Sequence, residues 1–490
     1  MRKFILTTIV FNTSISIFGQ SSDVKSINSI IDSKTALEPL HVLASDELKG
    51  RGTRRPEIHV AADYIAGFFK KSGVKQADSA RNYFQQFNLK TATYASSGSL
   101  VVNNKTFNIG NELLQAGGKD ASMNAPIVYV NFASREDLDK TDVKGKIVVS
   151  NFGAHDSSKV QAAFQHIPAK QMLLIERGAV AMIERVWQKD ASWPALQNLV
   201  STGRFVQQED SIPVFLINTD SAFVTSLADA PTATIKSSGN SIRGLISKNV
   251  VGLVQGSDAK LKEQYIVLSA HYDHLGVARE PKIVDGYADS IYNGARDNAI
   301  GVAAVLNAAK YFSKNPPRRS ILFILFTAEE GGLMGSRYYS EHPVIPMNKV
   351  VFNLNCDNGG YNDTSLVTVV GLGRTSADKD IQSASAQYGL RAISDPMPEQ
   401  NLFDRSDNLN FAIKGVPAPT YGMGVTAFDS TIRKYYHQVS DEVSSFDLAY
   451  GLKYIRSYIL AAKNIADNPT QPTWKSGDKY EEAWNRLFAK

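Results

Sequence analysis

The chain is poor in cysteine, because its 490 residues include a single one, Cys356. No disulfide can form within the chain, so the fold must be held together by packing or by bound metal. Cys356 follows the largely apolar run 350–354. We expect it to be a small buried residue and not a nucleophile, because buried thiols are usually inert.

Runs of basic residues and long apolar segments are also missing. The formal net charge is +5, but Lys and Arg are spread along the sequence, which argues against nucleic-acid binding. After the N-terminus, no segment approaches the roughly 20 apolar residues of a membrane span. The composition, 43% apolar and 21% charged, is that of a globular protein, and the length predicts two or three domains.

The N-terminus has the pattern of a signal peptide over residues 1–19. Arg2 and Lys3 precede a mostly apolar stretch at 4–11, and a polar interruption at 12–14 makes a membrane span improbable. Without its two leading charges the chain carries +3. We expect an exported protein, whether periplasmic, cell-surface or secreted. A cytosolic protein with an apolar first helix is the alternative.

The first half of the chain changes character once. Between 35 and 77, apolar residues recur every three to four positions, which predicts two helices, with Gly50 and Pro56 between them and Gly73 at the end of the second. Residues 96–245 alternate short β-type runs with Gly, Asn, Asp and Ser. They contain no cluster of His, Asp and Glu, so we expect a compact β-rich domain without a catalytic metal.

From residue 246 onward the pattern becomes strand, loop and helix, repeated. Apolar strands are predicted at 265–270, 320–326 and 349–356, with the tail of another at 419–422, and a helix is predicted at 299–312. Strands that alternate with helices predict a largely parallel sheet wrapped by helices.

Polar clusters follow three of these strands directly. They are the segments 271–274 (HYDH), 329–332 (EEGG) and 357–360 (DNGG). Because loops at the carboxyl ends of strands converge on one crevice, these clusters can meet in space. Imidazole and carboxylate suit zinc, and two zinc ions that share a carboxylate would support hydrolysis with a further carboxylate as general base. Helix caps and surface ion pairs are the alternative interpretation.

Five segments in sequence carry a resemblance to a known family. They are 271–276 (HYDHLG), 294–301 (GARDNAIG), 327–336 (TAEEGGLMGS), 355–357 (NCD) and 436–441 (YHQVSD). Together they resemble the co-catalytic di-zinc aminopeptidase family that also contains glutamate carboxypeptidase II. Each segment alone is a weak signal, but their order makes the combination specific.

The resemblance implies two zinc ions per chain. The residues that would bind them are His271, Asp297, Glu330, Asp357 and His437. Of these, Asp297 would bridge the ions, His271 and Asp357 would share one of them, and the remaining two residues would share the other. Glu329 would be the general acid/base.

Four further residues receive expected roles from their position beside these motifs. Asp273 would orient the His271 ring, as carboxylates orient metal-bound imidazoles. Tyr436 would donate its hydroxyl to the developing oxyanion, or else serve only in packing. We expect His274 to be structural, because three residues from His271 it would need a helical turn to share a face. Asp407 would order the pocket or bind a substrate amine.

Two departures from the family pattern affect these expectations. If the family's asparagine is Asn355, the ligand is Asp357; if it is Asn353, the ligand position falls on Asn355. Strand alternation places 355 and 357 on the same face, so periodicity does not separate them, but an anionic ligand favours Asp357. Asn358 stands where relatives commonly have Met, and Asn408 where they often have His.

The resemblance extends to the first half through 46–51 (DELKGR), otherwise a helix end closed by glycine, and through 143–149 (VKGKIVV). It implies a zinc-exopeptidase-like α/β fold, a mostly parallel mixed sheet flanked by helices, with an inserted β-rich protease-associated domain. The implied divisions are a signal peptide at 1–19, an N-terminal part of the peptidase domain at 20–95, the inserted domain at 96–245 and the main peptidase domain at 246–490.

We therefore expect an exported di-zinc metallopeptidase, an aminopeptidase that acts on peptide substrates. Carboxypeptidases, dipeptidases and glutaminyl cyclases use related scaffolds and are the alternatives among enzymes. A non-catalytic binding protein is the alternative of another class, and loss of metal ligands would indicate it. The sequence does not define the oligomeric state or the preferred substrate side chain.

Overall fold

The computed structural model describes residues 21–77, 82–155, 160–201, 203–206, 212–284 and 286–489. The predicted signal peptide at 1–19 lies outside these residues. Among the helices of the described part, none combines the length and the apolar character that crossing a membrane requires.

The described residues form α-helices joined by short 3₁₀ turns and one π-helical turn. The α-helices are α1 (Ser22–Ile30), α2 (Glu38–Leu43), α3 (Glu57–Ser72), α4 (Arg135–Asp139), α5 (Val160–Glu176), α6 (Trp193–Ser201), α7 (Ser221–Ser226), α8 (Ile300–Phe312), α9 (Met334–Glu341), α10 (Asp378–Gln387), α11 (Asn408–Ile413), α12 (Ser430–Tyr435), α13 (Leu448–Asp467) and α14 (Glu481–Phe488).

The strands are distributed over both halves of the chain. They are β1 (Lys75–Gln76), β2 (Phe84–Thr93), β3 (Ser97–Val102), β4 (Lys105–Asn108), β5 (Leu113–Gly117), β6 (Ser122–Ala125), β7 (Ile127–Tyr129), β8 (Ile147–Asn151), β9 (Ala181–Val186), β10 (Arg204–Val206), β11 (Val214–Asn218), β12 (Ala233–Ser238), β13 (Ser241–Val254), β14 (Tyr265–His271), β15 (Gly276–Val284), β16 (Tyr287–Tyr292), β17 (Ser320–Phe326), β18 (Val350–Cys356), β19 (Leu366–Val370), β20 (Arg391–Ser394) and β21 (Thr420–Met423).

The chain divides into two compact units. The first combines the residues up to Gln86 with Ser247–Lys490, and the second comprises Phe87–Ile246. The second unit contains a five-stranded sheet in the order β5, β11, β9, β8, β7 and a four-stranded sheet in the order β4, β3, β12, β6. Its assignment to a protease-associated domain stays a prediction.

The central sheet of the first unit is mixed and mostly parallel. Seven of its strands lie in the order β13, β17, β14, β18, β21, β19, β20, and β1 pairs antiparallel with β13. β14 pairs in parallel with β17 on one side and β18 on the other, and β18 pairs in parallel with β21. β13 is antiparallel to β17, and β19 is antiparallel to β21. The predicted fold class is confirmed.

Helices cover both faces of this sheet. All seven residues of β17 are buried, because alternate side chains enter different cores. Phe323 and Leu325 pack in the core that includes α8 and α13, whereas Leu322 and Ile324 pack with Phe411 of α11. A strand between two helical layers has no polar face, which explains its uninterrupted apolar sequence.

Helix α8 is the central helix of the first unit. It contacts α3, α13 and the strands β14, β17 and β18. All of its residues except Lys310 are buried, and its many alanines allow neighbouring elements to approach closely. The turn Ala295–Ala299 leads directly into this buried helix, which fixes the position of the turn.

The predicted elements of the second half are largely present. The strands predicted at 265–270, 320–326 and 349–356 are β14, β17 and β18, and the helix predicted at 299–312 is α8. Gly73 caps α3 in the left-handed region with φ +80°, as expected for a helix end. The hairpin formed by β15 and β16 was not predicted. Cys356 is fully buried, as expected.

Among the described residues of the second unit, Lys170 and Glu184 form a buried ion pair. Lys170 of α5 lies 2.7 Å from the carboxylate of Glu184 on β9 and also donates to the carbonyls of Asn151 (2.9 Å) and Gly153 (3.1 Å). Glu184 further accepts from the hydroxyl of Ser150 and from the Gly153 amide. Each charged atom of this pair therefore has partners within the unit.

Candidate metal centre

Three of the predicted ligand loops follow adjacent parallel strands of the first unit. His271 is the last residue of β14, Glu330 lies in the loop after β17, and Asp357 follows the last residue of β18. Because β14 pairs in parallel with both β17 and β18, their carboxyl ends lie side by side. The sheet therefore brings these three side chains to one edge.

Two further ligands come from loops that do not end strands. Asp297 lies in the π-helical turn Ala295–Ala299, directly before α8. His437 lies two residues after α12 and adopts a left-handed backbone conformation with φ +56°. The five predicted ligands thus come from five separate segments.

The five predicted ligands lie together around Asp297. The Nε2 atom of His271 lies 3.2 Å from Asp297 Oδ1 and 3.2 Å from Asp357 Oδ1. The Nε2 atom of His437 lies 3.1 Å from Asp297 Oδ2 and 3.5 Å from Glu330 Oε1. The two oxygens of Asp297 therefore face two different imidazoles, as a bridging carboxylate requires.

The geometry also distinguishes Asp357 from Asn355. The Asn355 amide is engaged within the sheet: its Oδ1 accepts from Ser269 (2.8 Å), and its Nδ2 donates to Ser406 (2.9 Å). Asp357, in contrast, lies in one candidate metal group with His271 and Asp297. The Asn355 oxygen is thus engaged by the Ser269 hydroxyl, whereas the Asp357 carboxylate faces the imidazole of His271. The register that selects Asp357 stays a prediction that this geometry supports.

His274 lies in the cluster without the helical turn that its spacing from His271 was expected to require, and its expected structural role stays a prediction. Its Nδ1 lies 2.8 Å from Glu330 Oε1 and 3.9 Å from Asp297 Oδ1. His271 and His274 reach the same carboxylate without a helical turn, because one uses Nε2 and the other Nδ1. His274, Asp297 and Glu330 form a second group that could bind a metal ion.

Asp273 connects the His271 loop to its surroundings. Its carboxylate accepts from the Thr53 hydroxyl (2.9 Å) and the Glu329 amide (3.1 Å), and its backbone carbonyl lies 3.1 Å from Nδ1 of His271. The carboxylate itself lies 3.9 Å from that nitrogen. Asp273 therefore orients the ring chiefly through its backbone, and its carboxylate fixes the neighbouring loop.

The carboxylates and imidazoles of the centre shift each other's titration. Burial alone would lower the pKa of His437, but hydrogen bonds to Asp297 and Glu330 raise it to about 10. Burial would raise the pKa of Glu330, but hydrogen bonds from His274 and His437 lower it to about 2. The carboxylates at the ligand positions thus favour cations strongly.

Glu329 behaves differently from its neighbour Glu330. Burial raises the pKa of Glu329 well above its ordinary value, and although His271 opposes this shift, Asp357 and Glu330 add to it. A carboxyl group with a raised pKa is suited to accept and return protons near neutral pH. The two adjacent glutamates are therefore electrostatically distinct, in keeping with separate roles.

Tyr436 lies directly against a predicted ligand. Its ring stacks on the His437 ring, with 4.0 Å between the centroids and 20° between the planes. Burial raises the pKa of its hydroxyl, and the charges of Asp297 and Glu330 raise it further. The hydroxyl is therefore a neutral hydrogen-bond donor beside the centre; its predicted role at the oxyanion stays a prediction.

Asp407 is fully buried, and neither carboxylate oxygen has a hydrogen-bond partner among the described residues. Burial raises its pKa to about 7, although the charge of His271 opposes that shift. Asn408, which replaces the family's His, donates to the carbonyls of Phe403 (3.1 Å) and Ala418 (3.2 Å) and serves a structural purpose.

The residues of the centre fit divalent cations. Its carboxylates outnumber its imidazoles: the former are Asp273, Asp297, Glu329, Glu330, Asp357 and Asp407, and the latter are His271, His274 and His437. So many buried acids repel one another unless cations compensate them. Nitrogen and oxygen donors in this combination are the ligands that zinc prefers.

Sequence comparison identifies the part of the chain that contains this centre. Residues 249–457 match peptidase family M28, and every predicted ligand falls in that range. The chain is 24% identical over 201 residues to a vacuolar membrane protease of Candida glabrata, across 40% of this chain and 18% of that protein. It is 23% identical over 341 residues to aminopeptidase YwaD of Bacillus subtilis, across 68% of this chain and 66% of that protein.

Solved structures show the same fold. An aminopeptidase from Aneurinibacillus sp. strain AM-1 superposes with a TM-score of 0.62 at 20% identity, across 93% of this chain and 98% of that one. The zinc aminopeptidase BSAP from Bacillus subtilis superposes with a TM-score of 0.52 at 19% identity, across 92% and 97%. By contrast, the chain spans less than a fifth of the length of the Candida relative.

Proposed function

Because residues 249–457 match peptidase family M28, we propose that the chain is a zinc peptidase, and specifically an aminopeptidase that binds two zinc ions. The first site would consist of His271, Asp297 and Asp357. The second site would consist of Asp297, Glu330 and His437.

The observation that carries the proposal is the orientation of Asp297. Its Oδ1 faces His271 at 3.2 Å and its Oδ2 faces His437 at 3.1 Å, so one carboxylate serves both sites. When bound, two zinc ions polarise a carbonyl oxygen and make water acidic enough to attack it at neutral pH. His274, which contacts Glu330, would orient that carboxylate from behind.

The remaining groups would handle the proton and the substrate. Glu329, with its raised pKa, would accept a proton from the attacking water and return it to the leaving amine. Tyr436 would donate its hydroxyl to the oxygen that becomes negative. Glu329 lies in the loop after β17, and Tyr436 lies directly after α12. These positions support the two proposed roles.

The charge of the site favours an amino terminus over a carboxyl terminus. Two zinc ions would offset most of the buried carboxylates, but Asp407 is not one of the proposed ligands, so it would attract a free α-ammonium group and repel a free α-carboxylate. Asp407, buried without a hydrogen-bond partner among the described residues, would accept the ammonium group. Two of the similar structures are themselves named aminopeptidases, which supports this choice.

Metal content and substrate preference test the proposal together. We expect about two zinc ions per chain, and hydrolysis of aminoacyl amides with a free N-terminus. The matched control substrates are the same amides with an acetylated N-terminus, which should react poorly. Absence of zinc after reconstitution, or a preference for the acetylated substrates, would contradict the proposal.

We also propose that the protein is exported, on the signal-peptide pattern of residues 1–19. Expression of the full chain should yield a product that begins close to residue 20 and lies outside the cytoplasm. The matched control is a variant with Arg2→Glu and Lys3→Glu, which should be retained and unprocessed. N-terminal sequencing of the fractions measures both outcomes, and an intact N-terminus on exported protein would refute the cleavage.

A further inference from the structure

Arg51 is a fully buried arginine that binds backbone carbonyls in the loops that carry the proposed metal ligands. Its guanidinium donates to the backbone carbonyls of Leu43, Tyr272 (2.9 Å), Asn293 (2.6 Å) and Gly294 (3.0 Å). Tyr272 directly follows the ligand His271, whereas Gly294 precedes the turn that carries Asp297. One side chain therefore fixes the distance between these two ligand loops.

Asp441 is a fully buried aspartate that binds backbone amides of the turn Ala295–Ala299, which carries Asp297. Its carboxylate accepts from the backbone amides of Arg296 (2.9 Å) and Asp297 (3.2 Å) and pairs with the Arg296 guanidinium at 2.9 Å. Its own carbonyl accepts from the Ala295 amide. Because Asp441 lies four residues after His437, it joins the Asp297 turn to the loop of that ligand.

The segment that carries Arg51 leaves it little freedom to move. Gly50 has φ +63°, and a Cβ atom there would lie 2.4 Å from the carbonyl oxygens of Gly276 and Tyr292. Gly52 forms an isolated bridge with His274. The backbone on both sides of Arg51 is thus packed against the metal-centre loops, so the guanidinium acts as a fixed donor.

We propose that Arg51 and Asp441 are positioning residues that each set the zinc affinity of a different site. Arg51 supports the first site, because it joins the Asp297 turn to the His271 loop. Asp441 supports the second site, because it joins the same turn to the His437 loop. This inference rests on the proposed two-zinc function and adds a division of labour to it.

The chemistry of each residue suits its partners. A guanidinium offers donors in a rigid fork, which can bind several carbonyls at once, whereas a lysine ammonium at the same place could not reach all of them. A carboxylate can accept hydrogen bonds at both oxygens. An asparagine has one oxygen, and its NH₂ group would face the backbone N–H or guanidinium groups that also donate. Arg51→Lys and Asp441→Asn therefore keep the size of each side chain while breaking its bonds.

Zinc titration in competition with a chelator tests the division. In Arg51→Lys we expect the first site to weaken by about 10- to 100-fold, the usual effect of removing a group that supports a ligand, with the second site unchanged. In Asp441→Asn we expect the reverse. Absorption spectra of the cobalt-substituted proteins give a readout that does not depend on activity.

Two reference variants assign the sites. His271→Ala should remove the first site, and His437→Ala should remove the second. Arg51→Lys should therefore add little to His271→Ala but should weaken the remaining site of His437→Ala by the full factor. Asp441→Asn should show the opposite pattern. The matched control is Arg456→Lys, because Arg456 also donates to a backbone carbonyl, that of Ile31, and should leave zinc binding unchanged.

A misfolded variant would mimic metal loss, so a rescue experiment accompanies the titration. Arg51 has φ +47°, a conformation that glycine adopts readily, so Arg51→Gly removes the side chain without straining the backbone. Millimolar methylguanidine should restore first-site affinity in Arg51→Gly, and methylammonium should not. Restoration by both cations, or by neither in a folded variant, would contradict a fork-shaped donor.

The outcomes separate this inference from the proposed function. If the unaltered protein binds two zinc ions but both substitutions weaken both sites equally, or neither site, the division of labour is wrong and the two-zinc peptidase stands. If the unaltered protein binds no zinc after reconstitution, the proposed function itself fails.

Discussion

The two units of this chain each bury charged side chains, but their clusters are built differently. In the second unit, Lys170 and Glu184 form one ion pair, and both charged groups have hydrogen-bond partners within the unit. In the candidate metal centre of the first unit, carboxylates outnumber imidazoles. Both carboxylate oxygens of Asp407 and the Nε2 atom of His274 have no hydrogen-bond partner among the described residues. One cluster is balanced, and the other is not.

The difference indicates what each cluster is for. A buried ion pair with satisfied donors and acceptors is complete without a ligand and serves the fold. A buried excess of carboxylates is unfavourable unless cations bind, so it identifies a binding site. The balance of buried charge therefore separates the ion pair of the second unit from the candidate metal centre.

Glu329→Gln should give the largest effect. Loss of the proposed general base should lower kcat roughly 10⁴-fold, about 5.5 kcal/mol of transition-state stabilisation, while zinc content stays unchanged. Steady-state kinetics and metal analysis measure both quantities. The matched control is Glu341→Gln at the exposed end of α9, which should be fully active. Heavy loss of zinc in Glu329→Gln would reverse the roles of Glu329 and Glu330.

Lys170→Met should destabilise the second unit by about 3–5 kcal/mol, because it leaves the buried Glu184 carboxylate without its counter-charge. Adding Glu184→Leu should recover most of this loss, since a balanced cluster can be replaced by apolar side chains. Urea unfolding measures both variants. Lys140→Met, which removes an exposed ion pair with Glu136, is the control and should change nothing measurable. Equal losses in the single and double variants would disagree with this view.

Asp407→Asn should change how the zinc-free protein responds to pH. The pKa of Asp407 is raised from 3.8 to about 7 by burial, so its protonated form contributes stability below about pH 4 that is lost as the pH rises through 7. Asparagine stays neutral and should avoid this loss, which amounts to at most about 4 kcal/mol.

Thermal unfolding of the zinc-free proteins at pH 5 and pH 8 makes this comparison. The unfolding temperature of Asp407→Asn should rise relative to that of the unaltered protein as the pH increases from 5 to 8. Asp404→Asn is the control, because Asp404 pairs with Lys479 in a partly exposed position. Parallel pH profiles for Asp407→Asn and the unaltered protein would show that neighbouring groups stabilise the deprotonated Asp407 carboxylate, which would contradict the prediction.

Thr53→Val should have the smallest effect. It removes the 2.9 Å hydrogen bond to the Asp273 carboxylate and should weaken zinc binding at the first site about tenfold, the lower end of the usual range for such partners. Thr53→Ser keeps the hydroxyl and should bind zinc normally. Equal affinity in both variants would remove Thr53 from the supporting set.

Much of the metal centre could be predicted from the sequence. The apolar runs of β14, β17 and β18 showed where three parallel strands end, and polar segments at those ends had to converge. Asp297 and His437 follow no strand, so only the family resemblance pointed to them. Asp357 could be preferred over Asn355 because zinc favours an anionic ligand, and the hydrogen bonds of Asn355 within the sheet support this preference.

The remainder depended on contacts that no local pattern records. The place of His274 depends on its contact with Glu330 in a distant loop, which the spacing between His271 and His274 does not record. Arg51 and Asp441 act through backbone atoms of distant loops, so their own side-chain types gave no hint of their partners. The β15–β16 hairpin was missed because charged and polar residues interrupt its apolar alternation.

The bonds of Arg51 have a consequence for how the chain folds as it is synthesised. They join residues that are 221, 242 and 243 positions apart in sequence, and the whole second unit is synthesised between them. Contacts of such long range form late in folding, after the entropy of closing a large loop has been overcome. His437 and Asp441 leave the ribosome later still. The candidate metal centre therefore stays incomplete until the chain has been synthesised past Asp441, which delays any activity of this centre during biosynthesis.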